Sequence, residues 1–250
     1  MSLRLEKHGA VARLLIDRTA KRNAFNQAMW DQLPDLLADA MGDAAVRLLV
    51  LQSAEPGMFC AGADIGELLA NKDNPAWGRA NQAAIFRAQY ELTRAAKPTI
   101  AFVDGDCVGG GCGLAIACDI RLATSRSRFG ITPANLGLVY PLHDTKLLVD
   151  LVGPGQAKRM LYSAQLLNAA EALRIGLVEE LADSADDLAQ LIASKSLYSA
   201  KGTKQFVRRI LDGQADDDDD TRAIFSASFS CPDFAEGTSA FVAKRKPAFK

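Results

Sequence analysis

Two short segments of the chain carry side chains too small to react, in an order that leaves the backbone itself free to act. Phe59–Ile65 reads FCAGADI and Val108–Asp119 reads VGGGCGLAIACD, each after an apolar run that suits a buried strand. Small residues let another molecule lie against the main chain, and open α/β structures bind ligands at the carboxyl ends of their strands. Gly109, Gly110 and Gly111 stand directly before the apolar helical run Leu114–Cys118. The first N–H groups of a helix have no partner within it, so they are preorganised donors for an anion. Two familiar phosphate cradles do not fit. After Gly109 and Gly111 the third glycine of a dinucleotide fingerprint would fall on Leu114, and no Gly-Lys-Ser/Thr follows for a P-loop. A Gly-rich turn before a helix can also be no more than a tight turn, so the pattern alone leaves both readings open.

A third segment, Thr132–Asp144 (TPANLGLVYPLHD), brings Thr132, Tyr140, His143 and Asp144 close together in the chain. Tyr140 reads either as a proton donor or as core packing. Asp144 reads as an acid or base, or as a helix N-cap, which its place before a helical run favours. His143 and Asp144 are adjacent, so on a helix they point in different directions and spacing alone does not pair them. Glu67 is a further candidate carboxylate, with a solvent-facing helix position as its default. The two histidines and five cysteines form no HExxH, CxxC or Cys/His cluster, so no protein-built metal site is expected and the cysteines read as free buried thiols.

The elements that must position these segments alternate through the first half of the chain. Leu3–His8 and Val11–Asp17 read as a hairpin across His8–Gly9. Asn26 caps a helix to about Met41, with Pro34 placing its continuity in question. Arg47–Gln52, Pro98–Val103 and Asp119–Thr124 read as strands, and Glu67–Arg94 as helix broken at Asn74–Pro75. The alternation suggests βαβ units. Beyond Pro141 helical patterns follow one another: Asp144–Val152, Pro154–Ser163, Ala169–Ile175, Asp186–Lys195, Ser199–Leu211, Thr221–Ser230 and Asp233–Lys244. The acidic run Asp216–Asp220 fails as a calcium loop, since its sixth and twelfth positions would be Thr221 and Ala227. It reads as a solvated helix N-terminus, where carboxylates meet the positive end of the dipole.

Composition narrows the partners. The 29 Lys and Arg nearly balance 30 Asp and Glu, for a net charge of −1, so the polyelectrolyte footprint of a nucleic-acid binder is missing. No apolar stretch is long enough to cross a bilayer, and charges within the first residues argue against a signal peptide, so a cytoplasmic protein is expected. The 250 residues, 49% of them hydrophobic, suffice for one substantial core.

Taken in order, seven segments of the chain closely resemble the enoyl-CoA hydratase/isomerase family, also called the crotonase superfamily. They are RTAKRNAFN (18–26), FCAGADI, KPTIAFVDG (97–105), VGGGCGLAIACDI, FGITPANLGLVY (129–140), the stretch 152–181 and EGTSAFVAKRKPAF (236–249). The resemblance implies an α/β fold with a crotonase-like ββα spiral core, over residues 1–195, and a helical C-terminal region, 196–250. It implies assembly into homotrimers, often stacked as hexamers. It implies an acyl-CoA thioester as substrate, with coenzyme A entering as part of it and no separate cofactor. Carried over position by position, the family's oxyanion hole falls on the N–H groups of Ala63 and Gly110. Ala61, Gly62, Asp64 and Ile65, with Arg22 and Ala24, match the strips that line the adenine and pantetheine. Asp64 can also serve only to hold its loop. Lys244 matches a lysine that reaches coenzyme A phosphates, or is a solvated helix end.

One departure from the family pattern bears on the reaction. Hydratases of the family hold a water between two glutamates, and here those positions are Gly113 and Ala134. Neither can move a proton, and general acid–base catalysis is worth ~10²–10⁴-fold. Ordinary two-glutamate hydration is therefore not expected. Residues 131–140 resemble methylmalonyl-CoA decarboxylase, a member of the family that carries a histidine where this chain has Ala63. Loss of carbon dioxide from a malonyl-type thioester leaves the enolate without a base, while Tyr140 and Thr132 could orient the carboxylate or reprotonate the carbon. A decarboxylase-like or atypical lyase reaction is the favoured expectation. A non-catalytic acyl-CoA-binding scaffold or sensor is the alternative.

Overall fold

A computed structural model describes residues 2–249 of the chain. The expected hairpin is β1 (Leu3–His8) and β2 (Val11–Ile16), paired antiparallel across Gly9. Asn26 starts α1 (Gln27–Gly42), its side chain accepting the Met29 N–H at 3.1 Å. Pro34 lies within α1 and the helix continues through it, with Met29, Trp30, Leu33 and Leu37 buried on one stripe. Burial of that stripe offsets the hydrogen bond a proline cannot donate.

From there the chain repeats one unit: two strands, then a helix. The first comprises β3 (Leu48–Ser53), β4 (Met58–Cys60) and the helices α2 (Ile65–Ala70) and α3 (Pro75–Thr93). The second comprises β5 (Thr99–Val103), β6 (Asp106–Val108) and α4 (Gly110–Ala117). The third comprises β7 (Ile120–Ala123), β8 (Arg128–Gly130) and α5 (Leu142–Ser163). The break expected at Asn74–Pro75 separates α2 from α3, where Asn74 accepts the Trp77 N–H and Pro75 opens the helix. Gly153 interrupts α5 with φ 73°, which is why the sequence reads there as two helices. Then come β9 (Leu167–Asn168), α6 (Ala169–Arg174), β10 (Glu180–Leu181), α7 (Asp186–Ala193), α8 (Leu197–Leu211), α9 (Asp219–Ser228) and α10 (Pro232–Val242). Asp218 caps α9 in a box with Thr221, as the acidic run led one to expect.

Each ββα unit gives its first strand to one sheet and its second to another. The larger sheet has the order β1-β2-β3-β5-β7-β10 and the smaller β4-β6-β8-β9. The units are thus ββα and not the βαβ that the alternation suggested. Strands of three residues, such as β4, β6 and β8, are too short to show a period of two, so the second sheet is invisible to pattern reading. β3 is buried on both faces. Leu49 and Leu51 pack toward α1, α3 and α4, whereas Leu48 and Val50 meet Ala185, Ala189 and Ala193 of the α7 region. No helix among the described residues is long and apolar enough to cross a membrane.

Four of the cysteines are buried free thiols, but Cys231 is only partly buried and caps α10 through its sulfur. Burial pushes the Cys60 and Cys118 thiols up to about 12, far from the thiolate form a nucleophile needs.

Candidate active site

The site is assembled from two loops that follow strands of the smaller sheet. β4 and β6 pair in parallel, Met58 opposite Asp106 and Cys60 opposite Cys107, so the segments after them emerge side by side. The loop after β4 is fixed by the strip before α1. Ala61 donates to the Arg22 carbonyl at 3.0 Å, Phe25 to Gly62 at 2.7 Å, and Asp64 to Phe25 at 2.8 Å. Asn23 anchors that strip, its buried side-chain nitrogen reaching Ser53 Oγ at 2.8 Å and the Met58 carbonyl at 2.9 Å. Arg22 is therefore brought against Ala61, and Ala24 lies between the anchored Asn23 and Phe25, its carbonyl accepting from Arg18 at 2.8 Å. The Asp64 side chain holds the loop: it accepts the Glu67 N–H at the start of α2 and pairs with Arg18 at 2.8 Å. That guanidinium keeps the carboxyl below its usual range. Ile65 is 43% exposed at the rim.

The bridge between Phe25 and Ala63 uses the carbonyl of Gly62 and the N–H of Asp64. Ala63's own N–H is left over, and among the described residues it donates to no protein acceptor. Gly110 opens α4, so its N–H also lacks a partner within the helix. The two segments are in close contact. A methyl group added to Gly110 would lie 3.7 Å from the Ala63 nitrogen, and one added to Gly62 would lie 3.2 Å from the Gly110 nitrogen. Gly62 has φ 97°, open only to glycine, so residue type and close approach are fixed together. Trp30 lies behind Gly110, at 3.4 Å from the same added methyl, and packs on Phe25 with ring centroids 4.6 Å apart.

One helical turn along α4 lies Gly113, and the room beside it is taken. A Cβ there would stand 2.3 Å from Gln89 Nε2, 3.0 Å from Tyr140 Oη and 3.2 Å from Asp144 Oδ2. Three polar side chains, from α3, from the loop before α5 and from α5 itself, converge beside Gly113, the position that the resemblance gives to a glutamate. All three are at least nine-tenths buried. Tyr140 donates to the Gly109 carbonyl over 3.4 Å. Burial, and after it the charge of Asp144, holds its hydroxyl well above the usual phenol range. Gln89 Nε2 has no hydrogen-bond partner among the described residues.

This corrects three expectations. Asp144 is not a cap, for Pro141 holds the cap position of α5 and the Asp144 carboxylate lies beside Gly113. It also meets its neighbour in sequence: His143 Nδ1 lies 3.2 Å from Asp144 Oδ1. The first turn of a helix leaves adjacent side chains room to fold toward each other at an end with no preceding turn. His143 in turn packs edge-on to Phe86 at 5.6 Å. Glu67 is neither solvent-facing nor catalytic in geometry, since it accepts the Gln27 N–H of α1 at 2.8 Å.

Thr132 is half-buried, with Oγ1 3.8 Å from a methyl added to Gly109, so it borders the same turn. Ala134 is exposed on a short 3-10 helix, Pro133–Leu136. Lys244 follows α10 with φ 50°, exposed and without a side-chain hydrogen bond among the described residues, and nothing within the chain ties it to the Ala61–Ile65 strip. Gln89 escaped the sequence reading, although a signal was there. It interrupts the apolar stripe Ile85, Ala88 and Leu92 of α3, and a polar residue on a helix's buried face asks for a partner.

Residues 6–250 match the family described as enoyl-CoA hydratase/isomerase. A short-chain-enoyl-CoA hydratase of Clostridium acetobutylicum is 36% identical over 252 residues, covering 97% of this chain and 95% of the relative. A crotonyl-CoA hydratase of Syntrophomonas wolfei is 36% identical over 257 residues, covering 98% and 96%. A crystal structure assigned to the same family, from Hyphomonas neptunium, superposes with a TM-score of 0.96 at 34% identity, covering 100% of this chain and 98% of that one.

Proposed function

This chain belongs to the enoyl-CoA hydratase/isomerase family, whose members act on CoA thioesters, and from that premise we propose that it is a CoA-thioester lyase working through an enolate without the two-glutamate water. In this reading the thioester oxygen sits between the N–H groups of Ala63 and Gly110. Charge grows on that oxygen as the α-carbon gains electrons, and two fixed donors lower the barrier by amounts on the order of 3–4 kcal/mol each. The observation that carries the reading is the filled space at Gly113, where Tyr140 and Asp144 replace a glutamate.

The sequence alone favours carboxylate loss. Asp144 shifts that preference: a buried anion beside the acyl chain opposes a substrate carboxylate and supplies a base. Addition of water to an enoyl thioester, and its reverse, is the reaction these groups suit best. Water gives a proton to Asp144 as its oxygen bonds to the β-carbon. The double-bond pair moves onto the α-carbon and carbonyl oxygen, and Tyr140 O–H protonates the α-carbon. One proton passing from Asp144 to the Tyr140 phenolate restores the site. Carboxylate loss, with Tyr140 as proton donor and Thr132 orienting the leaving group, is the second reading, favoured by the absence of a carboxylate at residues 113 and 134.

Crotonyl-, malonyl- and methylmalonyl-CoA offered to the protein, with products read by mass spectrometry, test this directly. Water gained by crotonyl-CoA, and lost as an activity in Tyr140→Phe, is the expected result. Fast hydration that survives Tyr140→Phe, or recovery of every thioester unchanged, overturns it. Release of carbon dioxide from a malonyl-type thioester selects the second reading.

Assembly belongs to the same proposal. Phe225 of α9, Phe229 just after it, and Phe241 and Val242 of α10 are between 57% and 85% exposed, apolar surface that a homotrimer or hexamer would cover. A neighbouring copy could then present Lys244 to coenzyme A phosphates.

A further inference from the structure

The geometry points to a second binding site, at the other end of α4 from Gly110, that takes an alkyl chain ending in a carboxylate. A cavity of about 950 Å³ lies between α8 and the core, with Ile116 and Ala117 of α4 and Leu147 and Leu151 of α5 in its wall. That volume is in the range of sites that enclose one small molecule. Its lining follows α8 from Ser196 at the cap to Leu211, about 22 Å of helix at 1.5 Å per residue, so the space is a channel and not a bowl.

Polar struts keep the channel open. Lys204 of α8 reaches Asp119 at 2.7 Å and the Lys97 carbonyl at 3.0 Å, and Lys146 of α5 donates to the Leu211 carbonyl at 2.7 Å. Between these struts α8 buries none of its residues, and Val207 and Leu211 share the channel with Ile116, Leu147 and Leu151. Apolar walls held apart in this way stay wet, and an alkyl chain laid between them releases that water. One end of the channel is cationic. Arg208 lines it between Val207 and Leu211, and Asp212 serves two guanidiniums at once, Arg208 at 2.8 Å and Arg94 at 3.0 Å. One carboxylate against two guanidiniums leaves an excess positive charge. The Arg208 Nε is closed off, but the pair with Asp212 uses Nη2, and Nη1 has no acceptor among the described residues. The acidic groups of the wall are already matched, Asp119 by Lys204 and Asp150 by Lys146 at 2.6 Å, so they do not repel an incoming anion. A carboxylate on an apolar chain satisfies both features, whereas an alcohol answers only the walls and acetate only the charge.

Calorimetric titration of the full-length protein with decanoate, below its micelle concentration, tests the inference against decanol and acetate. Decanoate is expected to bind at one site per chain, about 10- to 100-fold tighter than decanol, with acetate silent. Arg208→Met should bring decanoate to the level of decanol and leave decanol within about 2-fold. Ala200→Trp, which fills the channel from α8, should abolish both, and it serves alone if the Arg208 variant fails to fold. Lys195→Met is the control, because Lys195 is exposed and its ammonium stays hydrated. Saturating butyryl-CoA should leave decanoate binding unchanged. Displacement by butyryl-CoA places decanoate at the thioester seat and overturns the inference, as does equal binding of decanoate and decanol. Absence of decanoate binding, the result if a second copy of the chain fills the channel, overturns it too. None of these outcomes touches the lyase reading, which is tested by product formation.

Discussion

Asp144→Asn lowers turnover of an enoyl thioester by about 10²–10⁴-fold, the range typical of a lost general base. Asparagine keeps the volume and can still accept from His143, so the residue's 1% exposed environment is left without a cavity. KM should change little, because the carboxylate is asked to take a proton and not to hold coenzyme A. Steady-state kinetics on crotonyl-CoA, with thermal unfolding as a check on the fold, decide the matter. A kcat within a few-fold of the unaltered protein would show that Asp144 is only part of the packing under α5.

Gly62→Ala is the second large effect, and it acts on the two amides proposed to hold the thioester oxygen without touching a side chain. A Cβ at residue 62 would meet the Val108 carbonyl at 2.9 Å and the Gly110 nitrogen at 3.2 Å, both of them backbone. Residue 62 also sits at φ 97°, where alanine is strained. The loop must move, and the amides of residues 63 and 110 move apart. Loss of one well-aimed donor costs about 10²–10³-fold in kcat, and the strain costs about 1–3 kcal/mol of stability. Gly9→Ala supplies the control, because Gly9 has φ 63° in the β1–β2 turn with no atom within 4 Å of an added methyl. That variant should lose stability and keep its rate. Equal loss of rate in both variants would mean that Gly62→Ala acts through stability alone.

The parts of this site legible in the sequence are those carried by local pattern. FCAGADI and the glycine run announce themselves, since a backbone site needs small residues in sequence. Asn26 and Asn74 mark helix starts through their own side chains, and both accept from the third residue on. The polar cluster at Gly113 was illegible for the opposite reason. Gln89, Tyr140 and Asp144 come from separate elements, and only packing of α3 and α5 on α4 makes them neighbours. Asp144 looked like a cap because a carboxylate near a helix start usually is one. The second sheet was missed because three-residue strands have no period to read. The longer strands of the larger sheet, with runs such as Leu48–Leu51, were plain, whereas its two-residue β10 had no pattern to read.

The unsatisfied state of two amides has a consequence for their exchange with solvent. Ala63 and Gly110 are half-buried and, among the described residues, donate to no acceptor, yet they sit between segments that are firmly bonded: Phe25 to Gly62, Asp64 to Phe25, and Gly109 to Gly130 at 2.8 Å. In heavy water these two positions should take up deuterium among the fastest of the interior, while the donating amides of residues 25, 64 and 109 around them stay protected. A thioester seated between them would slow both at once. The label would then mark the occupied site from inside the backbone, where no substitution can reach.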